Sequence, residues 1–397
     1  MAIRSEQNGN QSAITDFVYL DHAASTPMRQ EAIDAMSPYM SGIYANPSGS
    51  HRFARLARKA IDEARDDVAE ALGCKVGEVI FTSGGTEGDN AAIFGAARNR
   101  GGISICSAAE HHAVLHCVEN LHGRVVSVDA TGVIDIAELE AALQDPQIAG
   151  NVSVVSVMAV NNEVGSISPL RQVAKVVRAH APNAVLHTDA VQAACWQDLR
   201  EISKLVDVLS VSAHKFGGPK GMGITMQRLG LQIDPLIVGG GQERDRRSGT
   251  HNVAGIMATA AALRVTDQTR NEEVARVTKL RDALVDGVCS EIEDVLETVP
   301  RDKRVAGIAH MCIAGCESES VLYLLDEAMI CASAASACAS GAMEPSHVLA
   351  AMGVDKQHSM GALRMSLGHT TTESEIDRAV NAVVGVVRQL RRNKIKA

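Results

Sequence analysis

Aromatic side chains are nearly missing from this sequence: one Trp, four Tyr and five Phe in 397 residues. A core of this size must then be filled by Ala, Val, Leu, Ile and Met. Long apolar runs are missing too. None reaches the ~20 residues that a helix needs to cross a bilayer, so no membrane partner is expected. Positive charge is in deficit: 38 Lys and Arg stand against 47 Asp and Glu, a net charge of −9. Such a balance argues against a nucleic-acid backbone as a direct partner, and the basic end "RRNKIKA" reads as a solvated helix terminus. The opening "MAIRSEQNGNQSAITD" has no apolar centre, so no export leader is expected and residues 1–16 read as a disordered tail. Nine cysteines, an odd number, without such a leader read as reduced thiols in a cytoplasm.

What is present is alternation. From about Tyr19 to Val265, short β-branched runs ("EVIFTSG", "GISICSA", "RVVSVDA", "VSVVSVMAV", "AVLHTDA", "DVLSVSAHK") are separated by amphipathic stretches such as "LRQVAKVVRAHA". This pattern predicts an α/β domain over 17–265 with a largely parallel sheet. Strands as continuously apolar as "VSVVSVMAV" suit a sheet covered on both faces. A helix is predicted over "NEEVARVTKLRDALVDGVCSEI". After it, "AHMCIAG", "SESVLYLLDEAM", "ALRMSLG" and "TESEIDRAVNAVVGVVRQL" predict a smaller α/β domain over 266–397.

In a parallel sheet, ligands sit beyond the carboxyl ends of the strands, and four polar groups are expected there. In "IFTSGGTEGDN" a strand runs into a helix opening at Thr86 or Glu87. The N–H groups of Gly85 and Thr86 make either an anion seat or a plain strand-to-helix turn. In "VLHTDAVQ", Asp189 ends a strand with Gln192 three residues on, either as a site carboxylate or as a cap. In "VLSVSAHKFGGPKG", Ser212, His214 and Lys215 sit where a strand breaks; Lys215 is a candidate Schiff-base nucleophile or a surface lysine. In "AAEHHAVLH", His111 and His112 stand at another strand end. No spacing suits a metal: the His pair is adjacent, and Cys312 and Cys316 form a single pair. Taken jointly, an anion seat, a carboxylate, a lysine and a histidine match the needs of pyridoxal 5'-phosphate.

With these motifs in hand, the sequence resembles the cysteine desulfurases of the NifS/IscS type, class V, fold-type-I pyridoxal-phosphate enzymes. The likeness runs from about Tyr19 to Arg391 through "YLDHAASTP", "FTSGGTEGDN", "EHHAVL", "NNEVGSISP", "HTDAVQ", "SAHKFGGPKG", "GGGQERDRRSGT", "SACASGAMEPSHVLAAMG" and "LRMSLGHTTTESEID". It implies a large domain with a mostly parallel seven-stranded sheet sandwiched by helices, and a smaller C-terminal α/β domain carrying a catalytic cysteine loop. Residues 17–30 would pack with the smaller domain. Lys215 would hold the cofactor covalently, Asp189 would face its ring nitrogen, and His111 would stack on the ring and move a proton at the substrate thiol. Gly85, Thr86, Ser212 and His214 would hold the phosphate, with Thr250 reaching the phosphate of the other subunit in a homodimer with shared sites. Gln192 would bond the ring hydroxyl, Asn162 would touch cofactor and substrate, and Arg364 would clamp the substrate carboxylate.

The resemblance further implies that L-cysteine loses its sulfur to Cys338. This gives alanine and an enzyme persulfide that is handed to an acceptor protein, for iron–sulfur assembly or for tRNA or DNA thiolation. The sequence departs from the family's usual pattern at three places. Ala335 stands where the cysteine loop has glycine, Gly88 stands where serine is commoner, and no long extension follows "RRNKIKA". A selenocysteine lyase or carbon–sulfur lyase on the same scaffold is the nearest alternative, and a non-catalytic sulfur-transfer adaptor is the alternative of another class.

Overall fold

In the computed structural model, residues 16–334 and 346–396 are described. Cys338 and its loop therefore lie outside the described residues, as do residues 1–15 of the expected tail. By its contacts the chain divides into two compact units. The larger is made of Ser25–Asn162 and Ser166–Asn271; the smaller takes residues up to Ala24, Glu163–Gly165, and Glu272 onward. Among the described residues, no helix is long and apolar enough to cross a membrane.

The first strand, β1 (Val18–Tyr19), belongs to the smaller unit. The next seven build the sheet of the larger one: β2 (Val79–Thr82), β3 (Ile103–Ser107), β4 (Arg124–Val126), β5 (Val152–Ser156), β6 (Val185–Asp189), β7 (Val208–Ser212) and β8 (Gly223–Gln227). Their order is β2-β8-β7-β6-β5-β3-β4. β8 lies antiparallel to both of its neighbours, and the remaining pairs are parallel. The α/β fold with a mostly parallel seven-stranded sheet is thus as expected, and β6, β7 and β8 are buried along their whole length. β8 was not among the predicted strands.

The helices of the larger unit include α1 (Arg52–Leu72), α2 (Gly85–Arg100) and α3 (His112–Asn120). α2 packs across β5 to β8 and against α3. Its apolar stripe, Ala92, Ile93 and Ala96, closes over Cys106, Val154, Val185 and Val208 of the sheet. α4 (Val253–Glu291) runs for 39 residues, so the helix expected from Asn271 is the second half of a longer one.

The smaller unit has β9 (Val295–Glu297), β10 (Ile308–Ile313), β11 (Ile330–Cys331) and β12 (Ala362–Ser366). β9, β10 and β12 form an antiparallel sheet with β10 central, while β1 pairs in parallel with β11. Asp21 continues from β1 to bridge Ser366. The helices α5 (Ser318–Glu327), α6 (His347–Ala351) and α7 (Glu373–Lys396) complete it.

Candidate active site

The carboxyl ends of β2, β6 and β7 carry the expected groups. β2 gives way to Ser83 and to the N-cap Gly84, and α2 begins at Gly85, one residue before the predicted opening. A helix N-terminus leaves its first N–H groups without intrahelical acceptors and carries partial positive charge, so it suits an anion. A Cβ on Gly84 would meet nothing nearer than Ser212 Oγ, at 3.8 Å, so the cradle has room beside a hydroxyl. A Cβ on Gly85 would lie 2.5 Å from Val191 Cγ2, so only glycine lets the helix start this close to the turn after β6. Glu87 holds the helix start from below. Its carboxylate accepts from the Ser83 N–H at 2.9 Å and pairs with Arg247 through two bonds of 2.9 and 3.2 Å. That pairing ties "RDRRSGT" to α2, and Thr250 at the end of this stretch is exposed.

Asp189 closes β6 and is 4% exposed. Its Oδ1 accepts the Val191 N–H at 2.8 Å, so the carboxyl is fixed by the turn that carries Gln192. Of the two readings open for Asp189, the local cap is the one this bond displays. Burial pushes its pKa up to about 7, and the charge of Asp89 adds to this; Val191, His187 and Lys215 pull the other way. After β7, Ser212 Oγ lies 3.0 Å from His214 Nδ1. Burial, then the charges of Lys215 and Lys220, lower His214 to about 4, so this imidazole is neutral near pH 7. Lys215 ends a short helical turn, Ala213–Lys215. Thr26 anchors that turn through an N–H bond to the His214 carbonyl at 3.0 Å, which gives the second half of "YLDHAASTP" a structural task.

His111 caps α3. Its Nδ1 accepts the Ala113 N–H at 3.1 Å, which leaves the proton of the neutral ring on Nε2. The side chain is exposed, and Asn90 of α2 bonds the Ala113 carbonyl at 3.1 Å, locking the two helices beside it. Asn162, half-buried, is the last residue of its segment of the larger unit.

Arg364 lies on β12 of the smaller unit, its guanidinium 2.8 Å from Asp21 Oδ1. Ser333 exchanges both backbone bonds with Arg364, at 3.0 and 2.7 Å, so the strand that carries the arginine also holds the residue that leads toward Cys338. On the far side of that loop, Ser346 caps α6 and donates to Glu163.

The larger unit thus brings Gly85, Thr86, Asp189, Gln192, Ser212, His214 and Lys215 to one end of its sheet. Three buried residues of the same unit escaped the reading of the sequence: Asp89, Glu110 and His187. Asp89 left a signal, because it sits three, four and seven residues before Ala92, Ile93 and Ala96 and so falls on the apolar stripe of α2.

A sheet of this order, with a lysine after one central strand and a buried carboxylate closing the next, defines a fold-type-I pyridoxal-phosphate enzyme. The chain belongs to the family described as Aminotransferase class-V, whose pattern matches residues 18–379. It is 42% identical over 393 residues to the IscS-like cysteine desulfurase of Mycobacterium tuberculosis, covering 96% of this chain and 98% of that one. Among solved structures, a NifS-like protein superposes with a TM-score of 0.86 at 34% identity, over 94% of this chain and all (100%) of that one. SspA in complex with cysteine superposes with a TM-score of 0.75 at 30% identity, over 88% and 98%.

Proposed function

We propose that this protein is a cysteine desulfurase, taking sulfur from L-cysteine and leaving L-alanine. The observation that carries the reading is the strand-end constellation: a helix N-terminus with an open glycine, a turn-locked Asp189, and Lys215 in an anchored turn. The residues fit pyridoxal 5'-phosphate. Gly84 leaves space beside Ser212 for a phosphate, and Asp189 offers a carboxylate held rigidly by Val191. When bound, the cofactor supplies an electron sink for the charge that develops at the substrate Cα.

The chain's own groups do the rest. Gly85, Thr86, Ser212 and His214 would seat the phosphate, with Thr250 contributed by the second subunit of a homodimer. Asp189 would pair with the ring nitrogen and Gln192 with the ring hydroxyl, and Asn162 would contact both cofactor and substrate. The Lys215 amine would anchor the cofactor, and it is the group that would take the Cα proton. His111, its proton on Nε2, would stack on the ring and exchange a proton at the substrate sulfur. Arg364 holds the substrate carboxylate as a planar fork. The Cys338 thiolate attacks that sulfur; the carbon–sulfur bond breaks, a sulfur–sulfur bond forms, and the carbon fragment takes up protons to leave as alanine. The persulfide passes to an acceptor protein, and the reaction is placed in the cytoplasm. The relative solved with cysteine and those named cysteine desulfurases support this substrate.

Cys338→Ser is the test. Labelled sulfur should no longer appear on the protein, and alanine formation from L-cysteine should fall at least 100-fold, a loss of about 3 kcal/mol in transition-state stabilisation. Cofactor binding should stay unchanged. Alanine formed at the wild-type rate would instead make this a lyase that does not use Cys338. A protein that binds no cofactor would point to a sulfur-transfer adaptor.

A further inference from the structure

The stretch that ends in Thr250 begins with a strained turn. Glu243, Arg244 and Asp245 have φ of 50°, 60° and 63°, successive residues other than glycine in the left-handed region. L side chains take that conformation seldom and singly, so a run of them persists only where the surroundings hold it. Here the hold centres on one carboxylate, that of Glu243, which is 5% exposed. It accepts from both terminal nitrogens of Arg65 on α1 at 2.7 and 2.6 Å, from the Phe81 N–H of β2 at 3.0 Å, and from His251 Nε2 at 2.8 Å. Arg65 is fixed in turn: it donates to the Val79 carbonyl at 2.8 Å, and its guanidinium lies 4.8 Å from the centre of the Phe81 ring. Burial would raise the Glu243 pKa, but the bonds from Arg65 and His251, the Arg65 charge and the Phe81 N–H bring it down to about 2. The carboxylate is therefore ionised near neutral pH.

The same turn grips both sides of Thr250. His251, which follows Thr250, is tied to Glu243, and the N–H of Gly249, which precedes it, donates to Gln242 Oε1 at 2.8 Å. The chain neighbours of Thr250 are thus bonded to adjacent residues of one turn. That turn is bonded to β2, the edge strand that runs on into Ser83 and Gly84 of the anion seat. The Thr250 side chain is exposed, and Gly249 beside it has φ of 120°, so the backbone ties set where the hydroxyl stands. A hydroxyl bonds a phosphate oxygen only within a narrow range of distance and angle.

We propose that Glu243 is a positioning residue for Thr250, acting through His251 to hold the threonine where its hydroxyl binds the cofactor phosphate. This rests on the reading of Thr250 as a phosphate ligand, and it holds whichever subunit's phosphate Thr250 serves. The competing role for Glu243 is structural: a carboxylate that only offsets the buried charge of Arg65.

A double-mutant cycle on cofactor affinity separates the two roles. Apo-protein is titrated with pyridoxal 5'-phosphate and, separately, with pyridoxal, which lacks the phosphate. Thr250→Val should weaken pyridoxal 5'-phosphate about tenfold, the loss of one bond to a charged group. Glu243→Gln keeps the shape, removes the charge, and should weaken it about 5- to 10-fold. The double variant should bind within about twofold of Thr250→Val, because a misplaced threonine and an absent one are the same loss. Pyridoxal should bind wild type and all variants within about twofold of one another. If Glu243→Gln does not fold because Arg65 loses its partner, His251→Ala enters the cycle instead, since it leaves the Arg65 and Phe81 bonds in place. Additive losses, a Glu243→Gln protein that binds as wild type does, or a loss as large for pyridoxal would leave Glu243 a structural partner of Arg65 and overturn the proposal. Thr250→Val with wild-type affinity for pyridoxal 5'-phosphate would remove the reading beneath the proposal, and the proposal with it.

Discussion

Arg364 holds its guanidinium against Asp21, and this contact sets a prediction for the substrate. A substrate carboxylate at the same fork would meet the Asp21 charge a few ångströms away. At an effective dielectric near 20, two such charges oppose one another by roughly 3–4 kcal/mol, against about 1 kcal/mol for a hydrogen bond that merely orients the arginine. Repulsion should win. Asp21→Asn keeps an acceptor while removing the charge, so a net gain of about 2–3 kcal/mol should lower the KM for L-cysteine roughly 30- to 150-fold with kcat nearly unchanged. Asp21→Ala loses the orientation as well, and its KM should exceed that of Asp21→Asn. Steady-state alanine formation checks both, and a rise in KM for Asp21→Asn would reverse the assignment. At this scale the sequence singles out candidates whose side chains carry their own chemistry, Lys215 and Asp189 among them, and the fold sets both at strand ends. The sequence is silent where two residues act as a pair, because Asp21 and Arg364 stand 343 positions apart and no periodicity links them.

Among the elements, the parallel strands were legible because burial on both faces demands β-branched runs, and β5, β6 and β7 have them. β8, "GITMQ", escaped notice: it follows the glycine-rich turn after Lys215, is short, and becomes a strand by pairing with both β2 and β7. Tertiary pairing there overrides weak local propensity. β1 and β11, two residues each, are too short to show any period. Gly88 makes α2 testable as an element. Alanine would return about 1 kcal/mol of helix propensity. Its Cβ, however, would press on two hydroxyls and approach Ser210 Cβ to 3.2 Å, and Ser210 belongs to a buried network on a central strand. Overpacking at such sites costs about 1–3 kcal/mol. Gly88→Ala should therefore destabilise the protein by roughly 1 kcal/mol net, visible as a lower denaturant midpoint at unchanged slope. A higher midpoint would show that α2 can rise off the sheet.

For the molecule as a whole, the two units draw on separated stretches of chain. Residues up to Ala24 and the short Glu163–Gly165 join a unit otherwise made from Glu272 onward. A linear reading placed one boundary at 265/266; only the resemblance suggested that residues 17–30 pack with the smaller domain, and a three-residue excursion such as Glu163–Gly165 has no composition of its own to announce it. The division also falls inside α4, a continuous helix that offers no loop to mark it. The proposed homodimer is testable at this scale. A two-fold dimer with shared sites would give each site one subunit's Lys215 and the partner chain's Thr250. Thr250 is exposed and follows Arg247, which is pinned to Glu87, so changing its side chain leaves the larger unit's packing intact. Thr250→Glu sets a carboxylate toward a phosphate and should disable the site it serves; Lys215→Ala disables the site in its own subunit. Heterodimers of the two, isolated on two affinity tags, would pair both lesions in one site and leave the other wild-type. They should recover about half of the wild-type rate per dimer, although each homodimer is nearly inactive. Heterodimers no more active than the two homodimers would place Thr250 in its own subunit's site, and the shared-site dimer would be given up.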